Sequence, residues 1–437
     1  MWGKLTLLAS GLILGLFLFE GLLQIRRALI YGLRPRMERP FFVADPRVGH
    51  RLNPAYAGHD ARGWRNQMQI DRANIVVFGD SQTYGLNVPV GAAWPQRVGK
   101  LLSGIVLQMA APGYAPAHYI PLLDEALSHH PAVILAAYYL GNDLYGTYAL
   151  AYKKGDYKRS VDDAVLDALV STDARTLKQL AQAEMTDPDL RRAASYLDCT
   201  RLNSGPDPRL RIIHGTPEAQ RPDSGIADGV SDQLERVLLQ RSALMAAVRR
   251  GLLWLAPRIG YKGPIPGYRS FRCIRYHDDK MATVFTPAYR LVALDDTDPR
   301  IVEGERISLL VLWHLHKRCR SAGCQLYVVI IPTKETVYRK RVQKSLGTEP
   351  YLVSLWQAEA RFRTHASQFC EHLGIPAIDI GPALEAAISS GTNPYPQDED
   401  GHPVEAGHNA IAEAIARTLN RDGFGSGRFD GAHGIPS

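Results

Sequence analysis

One serine stands where a nucleophile would have to stand. In Val77-Phe78-Gly79-Asp80-Ser81-Gln82-Thr83-Tyr84-Gly85-Leu86, the apolar run 75–78 reads as a buried strand, and Gly79 and Asp80 break it. A serine at a strand-to-helix turn can present its hydroxyl at the open end of a sheet, where backbone N–H groups also point. Gly, Asp and Ser are also ordinary turn residues, so the triplet alone says little. Its position after a strand, with Thr83 and Gly85 following, says more.

The block resembles the first signature of the SGNH (GDSL-type) hydrolases, Gly-Asp-Ser-x-Thr-x-Gly. Three later stretches are similar to the remaining signatures, in the same order. Ala110-Ala111-Pro112-Gly113-Tyr114 resembles the second, and Leu140-Gly141-Asn142-Asp143 the third. Asp398-Glu399-Asp400-Gly401-His402-Pro403, ahead of Ala406-Gly407-His408-Asn409, resembles the last. The resemblance implies an oxyanion hole of the Ser81 N–H, the Gly113 N–H and the Asn142 side chain, with His402 as base. Singly, Gly113 also reads as a turn glycine, Asn142 as a helix cap and His402 as a surface histidine.

A neutral hydroxyl needs a base, and the base needs an orienting acid. Asp398, Glu399 and Asp400 lie four, three and two residues before His402. Many family members use the middle spacing, here Glu399. A branch that includes polysaccharide O-acetylating proteins uses the shortest, and the Asp-Gly-His-Pro wording matches it, so Asp400 is the preferred acid and Glu399 the alternative. His408 reads as a packing residue at a helix start. Neither metal-site spacing nor a cofactor motif is present: His314 and His316, two apart on a helical stretch, face different ways. The resemblance implies no cofactor.

Residues 5–23 form the second strong signal. They are apolar or small apart from Glu20, and at ~1.5 Å per residue about twenty of them span a ~30 Å bilayer core. Lys4 precedes them and no small-x-small cleavage site follows, so an uncleaved signal anchor is favoured over a cleaved peptide or a buried helix. Arg26, Arg27, Arg34, Arg36 and Arg39 follow the segment, which by the positive-inside rule would put the rest of the chain in the cytoplasm. The resemblance to an exported branch favours a periplasmic or other extracytoplasmic catalytic part. A net charge of +7 on 437 residues is mild and lacks a basic, aromatic nucleic-acid pattern. Of five cysteines, Cys319, Cys324 and Cys370 read as core, while Cys199 and Cys273 could pair in an oxidising compartment.

The elements around these residues alternate. Runs at 74–78, 105–109, 132–140, 325–331 and 375–380 read as strands; 94–102, 118–127, 307–320, 355–372 and 406–419 read as helices. That alternation predicts an α/β protein with a parallel sheet covered on both faces. The resemblance makes this a flavodoxin-like three-layer α/β/α SGNH-hydrolase fold, with a helical insertion and an N-terminal transmembrane helix. The expected division is an anchor at 1–27, a linker and arm at 28–72, core at 73–144, a mainly helical insertion at 145–286, core at 287–422 and a tail at 423–437. Within the insertion, 161–197 and 232–255 read as helices, and the segment could be a lid or a passive embellishment. The arm's motifs, such as Asp45-Pro46-Arg47-Val48-Gly49-His50, read as packing over the sheet. Two phrases stand apart, Thr286-Pro287-Ala288-Tyr289-Arg290 and Ile331-Pro332-Thr333-Lys334-Glu335-Thr336-Val337-Tyr338. Lys334 follows a strand and could bind a substrate carboxylate or phosphate, or cap structure with Glu335.

The resemblance therefore implies a serine esterase or acyltransferase with a small acyl group, such as acetyl, on a cell-envelope polysaccharide. A membrane lipid esterase and a catalytically silent glycan-binding or assembly protein are the alternatives. The implied partners are an acylated glycan or other ester and the membrane, not nucleic acid. The sequence leaves the oligomeric state open.

Overall fold

A computed structural model describes Gly15 and residues 41–152, 164–170 and 273–424. From residue 41 onward these belong to one compact unit, Arg39–Asp207 with Phe271–Ser437. Residues 5–23, apart from Gly15, lie outside the described residues, as do the helix expected at 232–255, nearly all of that at 161–197, and Cys199. Among the described residues no helix is long and apolar enough to cross a membrane.

The fold is α/β, and its central sheet is entirely parallel. Strands β3 (Ile75–Gly79), β4 (Val106–Ala110), β5 (Val133–Tyr139), β8 (Gln325–Ile331) and β9 (Ala377–Asp379) lie in the order β4-β3-β5-β8-β9. The chain enters at β3, steps to one side for β4, then crosses back for β5. The crevice beyond the carboxyl ends of β3 and β5 is therefore the topological switch point of a doubly wound sheet. β3 pairs with both neighbours, Val77 opposite Gln108 on one side and Leu135 on the other.

Alternation along each strand divides the core in two. Val76 and Phe78 face one layer, built largely from α3 (Pro116–Tyr119), α4 (Leu123–Ser128), α5 (Asp143–Tyr152), α8 (Pro299–Ser321) and part of α11 (Pro350–His372). Ile75 and Val77 face the other, which holds α2 (Trp94–Leu102), α12 (Gly381–Ser389) and α13 (Glu405–Arg421). These strands are apolar on both faces, as parallel strands under two helical layers must be.

The core does not stop at residue 144. Helix α5 continues to Tyr152 with Tyr145, Tyr148 and Leu150 buried, and packs on α8 so closely that a Cβ at Gly304 would collide with the Leu144 backbone. A helix apolar all round is a buried helix. At the far side of the insertion, β6 (Ile274–His277) and β7 (Ala282–Phe285) form an antiparallel hairpin where mainly helix was expected. The arm is also a hairpin, β1 (Phe42–Asp45) with β2 (Gly49–Leu52), turned at Gly49 with φ 78°. The remaining helices are α1 (Ser81–Tyr84), α6 (Ala164–Leu169), α7 (Pro287–Val292), α9 (Lys334–Val337) and α10 (Arg339–Leu346).

Candidate active site

Ser81 is the first residue of α1, directly beyond β3. Asp80 caps this short helix, accepting the Gln82 N–H at 2.9 Å, and Gly85 ends it at φ 81°. Gly79 is dictated by space: a Cβ there would run into the Thr83 side chain one turn later. The result is a tight strand–turn–helix with Ser81 almost wholly enclosed at 1% exposure.

The loop ahead of α13 brings the partners, His402 lying 321 residues away in sequence. His402 Nε2 lies 2.9 Å from Ser81 Oγ, and His402 Nδ1 lies 2.6 Å from Asp400 Oδ1. A carboxylate accepts, so Nδ1 donates, and Nε2 is left as the acceptor that faces the serine hydroxyl. Asp400 also receives the His402 backbone N–H at 2.9 Å and Asn87 Nδ2 at 2.9 Å, and Asn87 spans to the His402 carbonyl at 3.0 Å. Burial raises the Asp400 carboxyl, but the His402 charge and these donors outweigh it and hold it well below the usual carboxylate range. The carboxylate that meets His402 is thus Asp400, not Glu399 or Asp398.

Asn142 enters from the end of β5, one residue before α5. Its Nδ2 lies 3.4 Å from Asp80 Oδ2, the oxygen that Ser81 Oγ approaches at 3.3 Å. Asp80 therefore touches the helix cap, the serine and the asparagine together. Its burial lifts its carboxyl above the ordinary value, against the Gln82 N–H, the His402 charge and the donors on Asn142 and Ser81. Asp143 is also lifted well above its ordinary value, by burial and then by the Asp80 charge. Gly113 reaches the same sheet edge three residues past β4, in the left-handed region at φ 85° that favours glycine.

Lys334 lies behind this loop rather than in an open crevice. It is 1% exposed, and its Nζ donates to the carbonyls of Pro396 at 3.1 Å, Asp398 at 2.6 Å and Asp400 at 3.2 Å. An ammonium has three protons, and these contacts take up all three. Burial brings its pKa down to about 8, opposed by Glu335 and the acids of the loop. Beside it, Glu335 accepts the Thr286 N–H at 2.9 Å and faces Arg290 at 3.9 Å. The Arg290 guanidinium in turn covers Gly401, where a Cβ would strike it. The two phrases that stood apart in the sequence meet here, as a scaffold under the Asp400–His402 loop. His408 is wholly buried, with Nδ1 accepting the Trp94 N–H at 3.2 Å. Burial first, then Arg65, Arg97 and His402, bring its pKa down to about 3, so it is neutral and packs the loop.

Several contributors carried no sequence signal of their own. Asn87 lies just past the first block, and only the fold brings it to Asp400. Gln82 ties α1 to the same loop, its Nε2 donating to the Gly401 carbonyl at 3.2 Å. Arg65, from the arm, donates to the carbonyls of Tyr84, of Gly85 at 2.8 Å and of Val88 at 2.6 Å, bracketing the turn that carries Asn87.

Ser81, His402 and Asp400 together can deprotonate a hydroxyl as it attacks a carbonyl, and can return the proton to a leaving group. No family model matches the chain, and no curated protein matches it. Among solved structures, one from Desulfitobacterium hafniense DCB-2, provisionally described as a lipolytic protein of the G-D-S-L family, is 10% identical. The match covers 79% of this chain and 98% of that one, with a TM-score of 0.33. Likeness of that degree carries no argument about this chain's activity.

Proposed function

We propose that the protein is a serine ester hydrolase of the SGNH type, working through an acyl-serine. The observation that supports this most is the continuous chain Ser81–His402–Asp400, at 2.9 and 2.6 Å, at the switch point of a parallel sheet. His402 Nε2 takes the Oγ proton as Ser81 attacks the ester carbonyl, and Asp400 stabilises the imidazolium. The Ser81 and Gly113 N–H groups and the Asn142 amide receive the oxyanion, each donor contributing about 3–4 kcal/mol to the transition state. Collapse breaks the ester C–O bond, and the departing alcohol takes the proton from Nε2. Water or a sugar hydroxyl, deprotonated by His402, then attacks the acyl carbonyl; the acyl–Oγ bond breaks and Nε2 returns the proton to Ser81.

The Asp-Gly-His-Pro wording supports a small acyl group such as acetyl on a cell-envelope glycan. The apolar segment 5–23 also suits a second reading, a lipid ester at the membrane. The full-length protein in detergent should hydrolyse nitrophenyl acetate faster than long-chain nitrophenyl esters, and a serine-directed phosphonate should stop it by labelling Ser81 alone. A long-chain preference would favour the lipid reading. Label on another residue, or none with activity retained, would remove the serine mechanism.

The glycan reading needs an extracytoplasmic site, with residues 5–23 as the anchor. A C-terminal alkaline phosphatase fusion should then be active and stay in the membrane fraction. An inactive phosphatase with a fluorescent cytoplasmic reporter would put the domain inside, where an envelope glycan cannot be the substrate.

A further inference from the structure

Gly113, an oxyanion donor in the function proposed above, belongs to a peptide whose other end is held by the arm. His50 on β2 approaches the Pro112 carbonyl with Nε2 at 3.0 Å. A carbonyl can only accept, so Nε2 carries the proton. The contact is reciprocated: Tyr114 OH donates to the His50 carbonyl at 2.9 Å, so the arm grips Gly113 from both flanking residues. The His50 ring is fixed edge-on to Phe42 at 4.7 Å and tilted on Tyr114 at 5.3 Å, and Tyr114 stacks on His118 at 4.7 Å.

The Pro112–Gly113 peptide is planar and trans, so its C=O and N–H point in opposite directions. Holding the carbonyl toward the arm turns the Gly113 N–H away from it. Glycine at φ 85° has the freest backbone of any residue, and left alone this peptide could flip. A hydrogen bond accepted at the carbonyl also polarises the peptide and strengthens the N–H as a donor.

We propose that His50 is a positioning residue for the oxyanion hole, acting through the Pro112 carbonyl to aim the Gly113 N–H at the ester oxygen that becomes negative. This rests on the serine-hydrolase reading above. It gives the arm a function: His50 orients the oxyanion donor, much as Arg65 brackets the turn of Asn87. A donor needed only once charge develops affects the transition state and not ground-state binding.

Two variants separate aiming from packing. His50→Phe keeps an aromatic ring between Phe42 and Tyr114 but removes the donor; His50→Gln keeps an N–H of similar reach but removes the ring. Both are measured in the full-length protein on nitrophenyl acetate, per site, with sites counted by phosphonate end-point titration. His50→Phe should lower kcat roughly tenfold to a hundredfold, with KM within about twofold. Its affinity for a trifluoromethyl ketone, whose adduct carries the oxyanion, should fall by the same factor as kcat. His50→Gln should stay within about threefold of wild type on both measures. A wild-type rate in His50→Phe, or equal losses in the two variants, would overturn the proposal and leave His50 as packing. A wild-type enzyme that takes no label at Ser81 would instead remove the underlying reading, a result the variants do not affect.

Discussion

Ser81→Ala should reduce ester turnover about 10⁴- to 10⁶-fold while the protein remains folded. The size follows from the absence of a substitute among the described residues, where the hydroxyl that meets His402 Nε2 is that of Ser81, and water attacking directly would lose the effective concentration of a held nucleophile. The fold should survive because the lost group is one small side chain. Among the described residues Oγ hydrogen-bonds to Asp80 and His402, and His402 keeps its bond to Asp400. Removing a partner from a part-buried hydrogen bond costs about 1–2 kcal/mol, which shifts a melting curve without abolishing it. Nitrophenyl acetate turnover and thermal melting, run side by side, check both halves. Turnover kept within tenfold of wild type (about 1.4 kcal/mol) would mean that Ser81 is not the nucleophile.

The sheet was legible because parallel strands buried on both faces are continuous apolar runs, which stand out from the helices between them. All five core strands fall within one or two residues of their expected limits, the last trimmed at both ends to Ala377–Asp379. Helix starts are less legible from apolar periodicity than from punctuation. α8 begins at Pro299, capped by Asp298 accepting the Arg300 N–H at 2.9 Å, eight residues ahead of the expected start at 307. Asp-Pro is a start signal, since proline at the first helical position gives up only an N–H the helix cannot use. The hairpins at 42–52 and 274–285 were not legible: their strands are four residues long, and such short runs carry too little alternation to be told from loop.

For the site, the sequence marked the residues proposed to carry the chemistry and left unmarked those that hold them in place. Ser81, Asn142 and His402 belong to motifs with a fixed grammar. Asn87, Arg65 and His50 make their contacts to backbone carbonyls or a single carboxylate oxygen, and nothing in their neighbourhoods marks a residue type as required. Lys334 shows the same limit from the other side. A lysine just past a strand end has two uses, and only its burial against the carbonyls of Pro396, Asp398 and Asp400 distinguishes them.

The loop that Lys334 holds carries the second large effect. Asp400→Asn should cost about 10⁴-fold in kcat, whereas Glu399→Gln and Asp398→Asn should each stay within about threefold of wild type. Asparagine keeps the size of the side chain, and its amide oxygen can still accept from Nδ1. It can equally present its NH₂ there, which forces Nδ1 to accept, moves the proton to Nε2 and leaves the serine facing a donor. It also supplies no charge to balance the imidazolium. Asp400 enters this role already ionised, since its carboxyl lies well below the ordinary range. A depressed carboxyl contributes stability above the normal carboxylate pKa and loses it as pH falls through the folded value. Between pH 5 and 9 the Asp400 charge is therefore constant, and acidification across that window does not discharge it. In Asp400→Asn the loss should consequently persist over the whole window. Rate profiles for the three variants against pH, with sites counted by phosphonate end point, measure this directly. A large loss in Glu399→Gln with Asp400→Asn near wild type would transfer the orienting role to Glu399, and the 2.6 Å contact to His402 Nδ1 would then not be the one that operates in turnover.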